Sequence, residues 1–226
     1  MLSISGTAEW RSSHPGAVIG LLELSHVDDT RASVELDARK RATEARLRDR
    51  YRGFTRQEFL ASPVMAAYAR YYKRFGKTYH VLLQVESIVL KGKSLPNVSP
   101  LVDANFIAEV ETLVLTAGHD ADRLLGAVSI DVSRDGDRLT QMDGTPKAIP
   151  AGDMIMRDAK EISCSILYGQ DNRSPISRAT SHVLYVAYAP AGVSAETVEA
   201  HLQAIEEHVR LVSPQAVREQ LELLSA

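Results

Sequence analysis

The spacing of apolar residues changes sharply part-way along this chain, and that change constrains the fold more than any other feature. Between about residues 30 and 114 apolar positions recur every three or four residues, the period of a buried helix face. From residue 127 to residue 188 they alternate instead, the period of half-buried strands. Helices and strands segregated in this way predict an α+β fold, with a central mixed or antiparallel sheet flanked by helices.

Local signals place the elements. Two β-rich stretches open the chain, at 2–7 and 17–24, separated by a turn-like segment at 12–16. Asp28, Asp29 or Thr30 would cap a helix running to about Arg50. A second helix starts near Ser62 with Pro63 in its first turn and ends at Gly76. A third covers 80–90 and stops at Gly92, and Pro100 opens a fourth that carries Phe106, Val110, Leu113 and Val114. Strands follow at 127–133, 138–142, 154–157, 161–168 and 182–188, with a tight turn at Asp135-Gly136-Asp137. C-terminal helices at 195–209 and 214–223 complete the chain.

The 226 residues fit a single domain, 1–226, and 45% apolar with 24% charged residues predicts a packed core. No apolar run reaches the roughly 20 residues that span a bilayer, and no signal peptide is visible, so a cytoplasmic protein without membrane contact is expected. The lone cysteine, Cys164, excludes an intramolecular disulfide and a cysteine-based zinc site. It falls in an alternating strand with no obvious partner base, as a small core residue would.

A net charge of −3 argues against a generic nucleic-acid binder and against DNA as a partner. The charge is unevenly spread, however. Arg39, Lys40, Arg41, Arg46, Arg48, Arg50, Arg52 and Arg56 cluster against only Glu44 and Asp49, whereas Glu196, Glu199, Glu206, Glu207, Glu219 and Glu222 gather near the C-terminus. That asymmetry fits either one basic face offered to phosphates or a solvated helix surface.

Three stretches carry a family resemblance. They are 95–125 (LPNVSPLVDANFIAEVETLVLTAGHDADRLL), 152–173 (GDMIMRDAKEISCSILYGQDNR) and 180–193 (TSHVLYVAYAPAGV). In that order and spacing they resemble the B3/B4 domain, the tRNA-editing domain of the phenylalanyl-tRNA synthetase beta subunit, as found in standalone B3/B4 proteins. The counterparts include Pro-Leu-Val-Asp at 100–103, the acidic pair at 120–124, Met142-Asp143-Gly144 and Thr-x-x-Val-Leu at 180–184. The resemblance covers about 50–193, with N-terminal strands and a basic helix over 1–50 and C-terminal helices over 194–226. It implies a B3/B4-like fold and binding of a mischarged tRNA 3′ end whose ester is hydrolysed. Hydrolytic editing is needed where a synthetic pocket cannot reject an amino acid differing by one hydroxyl.

The editing residues of the synthetase do not all carry over. Its asparagine falls on Phe106, with Asn105 one place earlier and expected to point elsewhere; its histidine falls on Ala117, and its later acidic residue on Val186. The pattern Thr-Ala-Gly-His-Asp at 116–120 and Tyr-Gly-x-Asp at 168–171 resembles the standalone branch instead.

The residues themselves suggest chemistry. His119, expected just after a helix at a turn begun by Gly118, would serve as a general base or hold a ribose hydroxyl, with Asp120 orienting it. The polar run at 168–173 is the densest in the chain. Tyr168 would bind substrate, Gln170 and above all Asp171 would receive its α-amino group, and Arg173 would meet a phosphate or carboxylate. Lys91, Lys93 and Asn97, in a loop before the motif helix, would contact an RNA backbone. His119, Asp120 and Asp122 lack a second ligand cluster, so no metal is expected, and no cofactor-binding motif is present. Nothing resembles the ATP-binding motifs of a synthetase. Two functions follow: a trans-acting aminoacyl-tRNA deacylase, or a non-catalytic module that binds tRNA, RNA or an amino-acid-like metabolite.

Overall fold

A computed structural model describes residues 2–30 and 33–226; residues 31 and 32, inside the stretch predicted as the first helix, lie outside the described residues. The N-terminal half runs β1 (Ile4–Gly6), α1 (Ala8–Ser13), β2 (Val18–Ser25), α2 (Val34–Arg50), α3 (Arg56–Ala61), α4 (Pro63–Lys73), α5 (His80–Lys91) and α6 (Pro100–Thr112). Strands then dominate: β3 (Thr116–Asp120), β4 (Val128–Val132), β5 (Arg138–Thr140), β6 (Pro146–Ala148), β7 (Met154–Arg157), β8 (Ile162–Ser165), β9 (Gly169–Gln170) and β10 (His182–Ala189). Helix α7 (Ala195–Arg210) and strand β11 (Val217–Ser225) close the chain. Among the described residues no helix is long and apolar enough to cross a membrane.

The architecture is α+β, with its strands divided between two principal sheets. One is antiparallel, in the order β11-β2-β10-β3. The other, β1-β4-β7-β8-β9, is mixed, because β1 lies parallel to β4 while the rest are antiparallel. Strands β5 and β6 form a small separate hairpin. Central strands β2 and β10 are buried along nearly their whole length. Their near-continuous apolar runs reflect cover on both faces. Helix α7 lies close over β2 because Gly20 has no side chain; a Cβ there would come 2.5 Å from Val198.

Tyrosines of α4 tie the sheets together. The Tyr68 hydroxyl donates to Tyr188 O at 2.7 Å and accepts from Leu115 N at 2.9 Å. Tyr71 donates to Asp153 at 2.7 Å, and Tyr72 to Ile166 O at 2.6 Å. Tyr79 stacks on Tyr68 with ring centroids 4.2 Å apart. Each phenol satisfies a backbone or carboxylate group that would otherwise be buried without a partner.

Several sequence expectations change. The second C-terminal helix is strand β11, paired with β2 along its length with one irregularity between Arg218 and Gln220. Leu and Glu favour helix, but cross-strand pairing overrides that weak preference. Helix α1 runs into the predicted turn at 12–16, capped by Thr7 and buried through Trp10. Helix α3 was also missed, although Thr55 and Glu58 form a complete capping box. The cap of α2 is Ser33, not Asp28, Asp29 or Thr30.

Several arginines of α2, and Arg52 just beyond it, are paired within the chain at its surface. Arg41 and Arg48 pair with Glu44, Arg46 with Glu111, and Arg52 with Asp49. Lys40 is fully buried, bonded to Asp103 at 2.6 Å, to Asn97 at 2.8 Å and to the Pro96 carbonyl. All three ammonium protons therefore have acceptors, as burial of a charge requires.

Candidate functional site

A cavity of about 800 Å³ opens between α5, α6, β3, β8 and the 141–143 and 176–178 loops. Its size lies within the usual range for a small-molecule site. Exposed Val98, Met142 and Arg178 mark its mouth. Gly118 keeps its wall open, since a Cβ there would meet Ile176 at 2.7 Å.

The walls carry buried polar atoms with unused bonding capacity. Asp29 Oδ1 accepts from Leu101 N at 2.9 Å, while Oδ2 has no hydrogen-bond partner. Asn105 Nδ2 donates to Thr116 O at 3.3 Å, leaving Oδ1 unpaired, and Gln84 Oε1 is unpaired as well. Each orphan of this kind costs about 1–3 kcal/mol unless something fills it. Burial raises the Asp29 pKa, so a cation against it would restore the charged form.

Glu109 projects from α6 into the same cavity wall. Its Oε1 accepts from Thr116 N at 2.8 Å, but burial outweighs that bond and pushes its pKa up to about 8. At neutral pH it is mostly the neutral acid, able to donate a hydrogen bond where an ordinary carboxylate cannot. Cys164 also lines the cavity, but burial pushes its thiol up to about 12, which removes it as a nucleophile near neutral pH.

Beside the mouth the sign of charge reverses. The Tyr168 ring lies between Lys77 and Lys147, whose ammonium nitrogens are 4.3 and 5.0 Å from its centroid. Neither lysine, nor Arg178, has a carboxylate partner among the described residues. Unpaired acceptors thus occupy the interior, while these cations share the rim with the exposed carboxylate of Asp143.

The structure divides the residues expected from sequence. Tyr168 and Gln170 line the cavity. His119 does not, and the expected turn after a helix is strand β3, where His119 is fully buried. Ser174 donates its proton to Asp171 at 2.6 Å, so His119 Nδ1 donates to Ser174 Oγ at 2.8 Å. Burial, reinforced by Arg173, lowers the His119 pKa to about 3. Asp120 receives Thr180 Oγ1 at 2.8 Å and caps a short 3-10 turn rather than orienting His119. Asp171 is buried in the same network, and Arg173 is engaged by Asp158 at 2.7 Å, Glu161 at 3.0 Å and Asp171 at 3.4 Å. These partners leave Arg173 little capacity for a ligand phosphate.

Lys91 and Lys93 are exposed, away from the cavity lining. Asn97 holds Lys40 and approaches Arg41 at 3.4 Å. Asn105 was expected to face away, yet it and its neighbour Phe106 both line the cavity. Glu109 and Gln84 were missed altogether; the available signal was a polar residue placed on an otherwise buried, apolar helix stretch.

Comparison with known proteins gives three results. No curated protein matches. Sixteen solved chains do, among them the crystal structure of an N-terminal fragment of the phenylalanyl-tRNA synthetase beta-subunit from Pyrococcus horikoshii. That fragment is 6% identical with a TM-score of 0.46, over 97% of this chain and 54% of its own, so the present chain spans about half its length. The model of the B3/4 domain matches residues 65–226, taking in α7 and β11 as well as the motif stretches. Matched over most of its length, the chain belongs to the B3/4 domain family.

Proposed function

We propose that this chain hydrolyses aminoacyl-tRNA esters in trans, with the charged 3′ end entering the large cavity. The observation that carries this reading is the placement of polar groups: unpaired acceptors on Asp29, Asn105 and Gln84 inside, Arg178 at the mouth, and Lys77 and Lys147 against the lining residue Tyr168, outnumbering the one rim carboxylate, Asp143. An aminoacyl ester of a nucleotide has the matching order, an α-ammonium at one end and phosphates at the other. Its ammonium would donate to these unpaired acceptors, and its phosphates would meet the cations beside the mouth.

Held in this way, the ester needs little further chemistry. Water attacks the carbonyl carbon, the bond to the ribose oxygen breaks, and that oxygen leaves with a proton. Neutral Glu109 would donate to the developing oxyanion. The vicinal ribose hydroxyl can relay the proton, so His119 is not required at the reacting atoms. Positioning and oxyanion stabilisation supply most of the effect for so reactive an ester.

A second reading, a module that binds amino-acid-like or RNA ligands without turnover, is favoured by one observation. Among the described residues no activated nucleophile with an adjacent base lines the cavity, given the buried His119 and the high pKa of Cys164. Deacylation of a panel of correctly and wrongly charged tRNAs by the purified chain separates the two. Selective hydrolysis, abolished by Asn105→Ala with Glu109→Leu, supports the deacylase. Saturable binding without hydrolysis of any member supports the binding module.

A further inference from the structure

A second, smaller cavity of about 200 Å³ lies where the start of β2 meets the segment after β10, lined among others by His14, Arg70, Tyr71, Arg74 and Pro190. Its volume falls below the roughly 300 Å³ at which whole-metabolite sites begin. It suits a single ligand group.

Its chemistry is one-sided. No carboxylate lines it, and neither Arg70 nor Arg74 has an acidic partner among the described residues. The two stand four residues apart, Arg70 in the last turn of α4 and Arg74 as its C-cap, a spacing at which like charges repel. Arg74 is nevertheless held in place, its guanidinium 5.5 Å from the Tyr71 ring centroid and 5.3 Å from that of Phe75. Arg70 leans on the Ala191 carbonyl at 3.4 Å, over Gly192, where a Cβ would come 2.8 Å from the guanidinium. Gly192 has φ +102, so glycine suits both its backbone and its neighbour.

At the back sits His14, only 6% exposed, with Nε2 lacking any hydrogen-bond partner. Burial, with a contribution from Arg74, lowers its pKa to about 4, so at neutral pH it is an uncharged imidazole. A ligand that accepts hydrogen bonds would satisfy Nε2–H and relieve the repulsion between the arginines.

We propose that this cavity is an oxyanion site for one phosphoryl group, gripped by Arg70 and Arg74 and bonded from behind by His14. Paired guanidinium forks match phosphate oxygens better than point charges do. The group is either a phosphodiester of an RNA backbone or a free phosphate. The site does not depend on hydrolysis in the larger cavity.

The test is titration of the full chain with inorganic phosphate at fixed ionic strength, with chloride as control, following the imidazole NMR signals. His14→Gln assigns the His14 signal. The expected result is a saturable shift of that signal with phosphate alone, with binding about tenfold weaker in Arg74→Gln and undetectable in Arg70→Gln with Arg74→Gln. An equal response to chloride, or a phosphate response that survives the double substitution, overturns the site. Should the double variant not fold, absence of a saturable His14 shift in the unsubstituted chain overturns it equally. A single-stranded RNA lacking terminal phosphates distinguishes the sources. If it moves the same signal and phosphate displaces it, the ligand is a phosphodiester; if it leaves His14 unmoved while phosphate binds, the ligand is a free phosphate.

Discussion

Replacing Glu109 by Gln should stabilise the protein at alkaline pH and leave it nearly unchanged at acidic pH. Gln keeps an acceptor for Thr116 N and removes only the capacity to ionise. The folded-state pKa of Glu109 is about 8, above the ordinary value of 4.5. A raised carboxyl pKa means that the folded state binds a proton more tightly than the unfolded chain does. Stability is therefore greatest below pH 4.5 and is lost as pH rises toward 8, beyond which the loss is complete. At about 1.4 kcal/mol per pKa unit, the ionisable side chain costs roughly 3 kcal/mol by pH 7 and about 1–2 kcal/mol more by pH 9. Urea denaturation of both proteins at pH 5, 7 and 9 reads the difference, with other titrating groups common to both. A difference that stays flat across that range would refute the assignment of Glu109 as a buried neutral acid.

Other expectations follow from single contacts. Lys40→Met strands the buried Asp103 carboxylate and should cost about 3–5 kcal/mol in denaturation. Tyr68→Phe leaves Tyr188 O and Leu115 N unpaired, so a loss of about 1–3 kcal/mol for each group is expected in the same assay. Asp29→Asn should raise KM for an aminoacyl ester about tenfold through loss of the ammonium partner, with little change in unfolding free energy. His14, His119 and His201 have pKa values lowered to about 4, 3 and 3, chiefly by burial. Their contribution is intact above the unfolded value of 6.5 and is lost as pH falls through the folded values, so thermal midpoints measured from pH 7 to pH 4 should drop.

The helices that the sequence announced were those with strong local punctuation. Pro63 and Gly76 bracket α4, and Gly92 ends α5 in the left-handed conformation that glycine tolerates. Strand β11 was misread because its Leu and Glu residues favour helix, and only the distant partner β2 makes them a strand. The site was less legible for a similar reason. His119, Asp171 and Arg173 are polar residues in turn-rich motifs, which on sequence grounds look available for ligands. Their partners are met only on folding: Ser174 where β3 lies against the 171–175 segment, Asp158 and Glu161 where that segment passes the turn between β7 and β8. Glu109 drew no sequence reading at all, and its burial is set by the packing of α6 against β3.

The burial of His119 bears on how the larger cavity keeps its shape. His119 forms an isolated bridge with Pro175, Asp120 N donates to Ser174 O at 2.9 Å, and Ser174 is held by Asp171. Asp171 in turn meets Arg173, which spans to Asp158 and Glu161 around β8. This chain of bonds joins the last strand of one sheet to the end of the other. Ile176, Ser177 and Arg178, which line the cavity, follow immediately after it. The His-Asp motif thus contributes from behind the wall: it fixes where the loop carrying Arg178 begins, while the unpaired polar groups lining the cavity come from α5, α6 and the segments holding Asp29 and Ser99. A motif can mark the neighbourhood of a site without supplying the reacting groups, because the rigidity of a wall depends as much on buried polar bonds as on the side chains it presents.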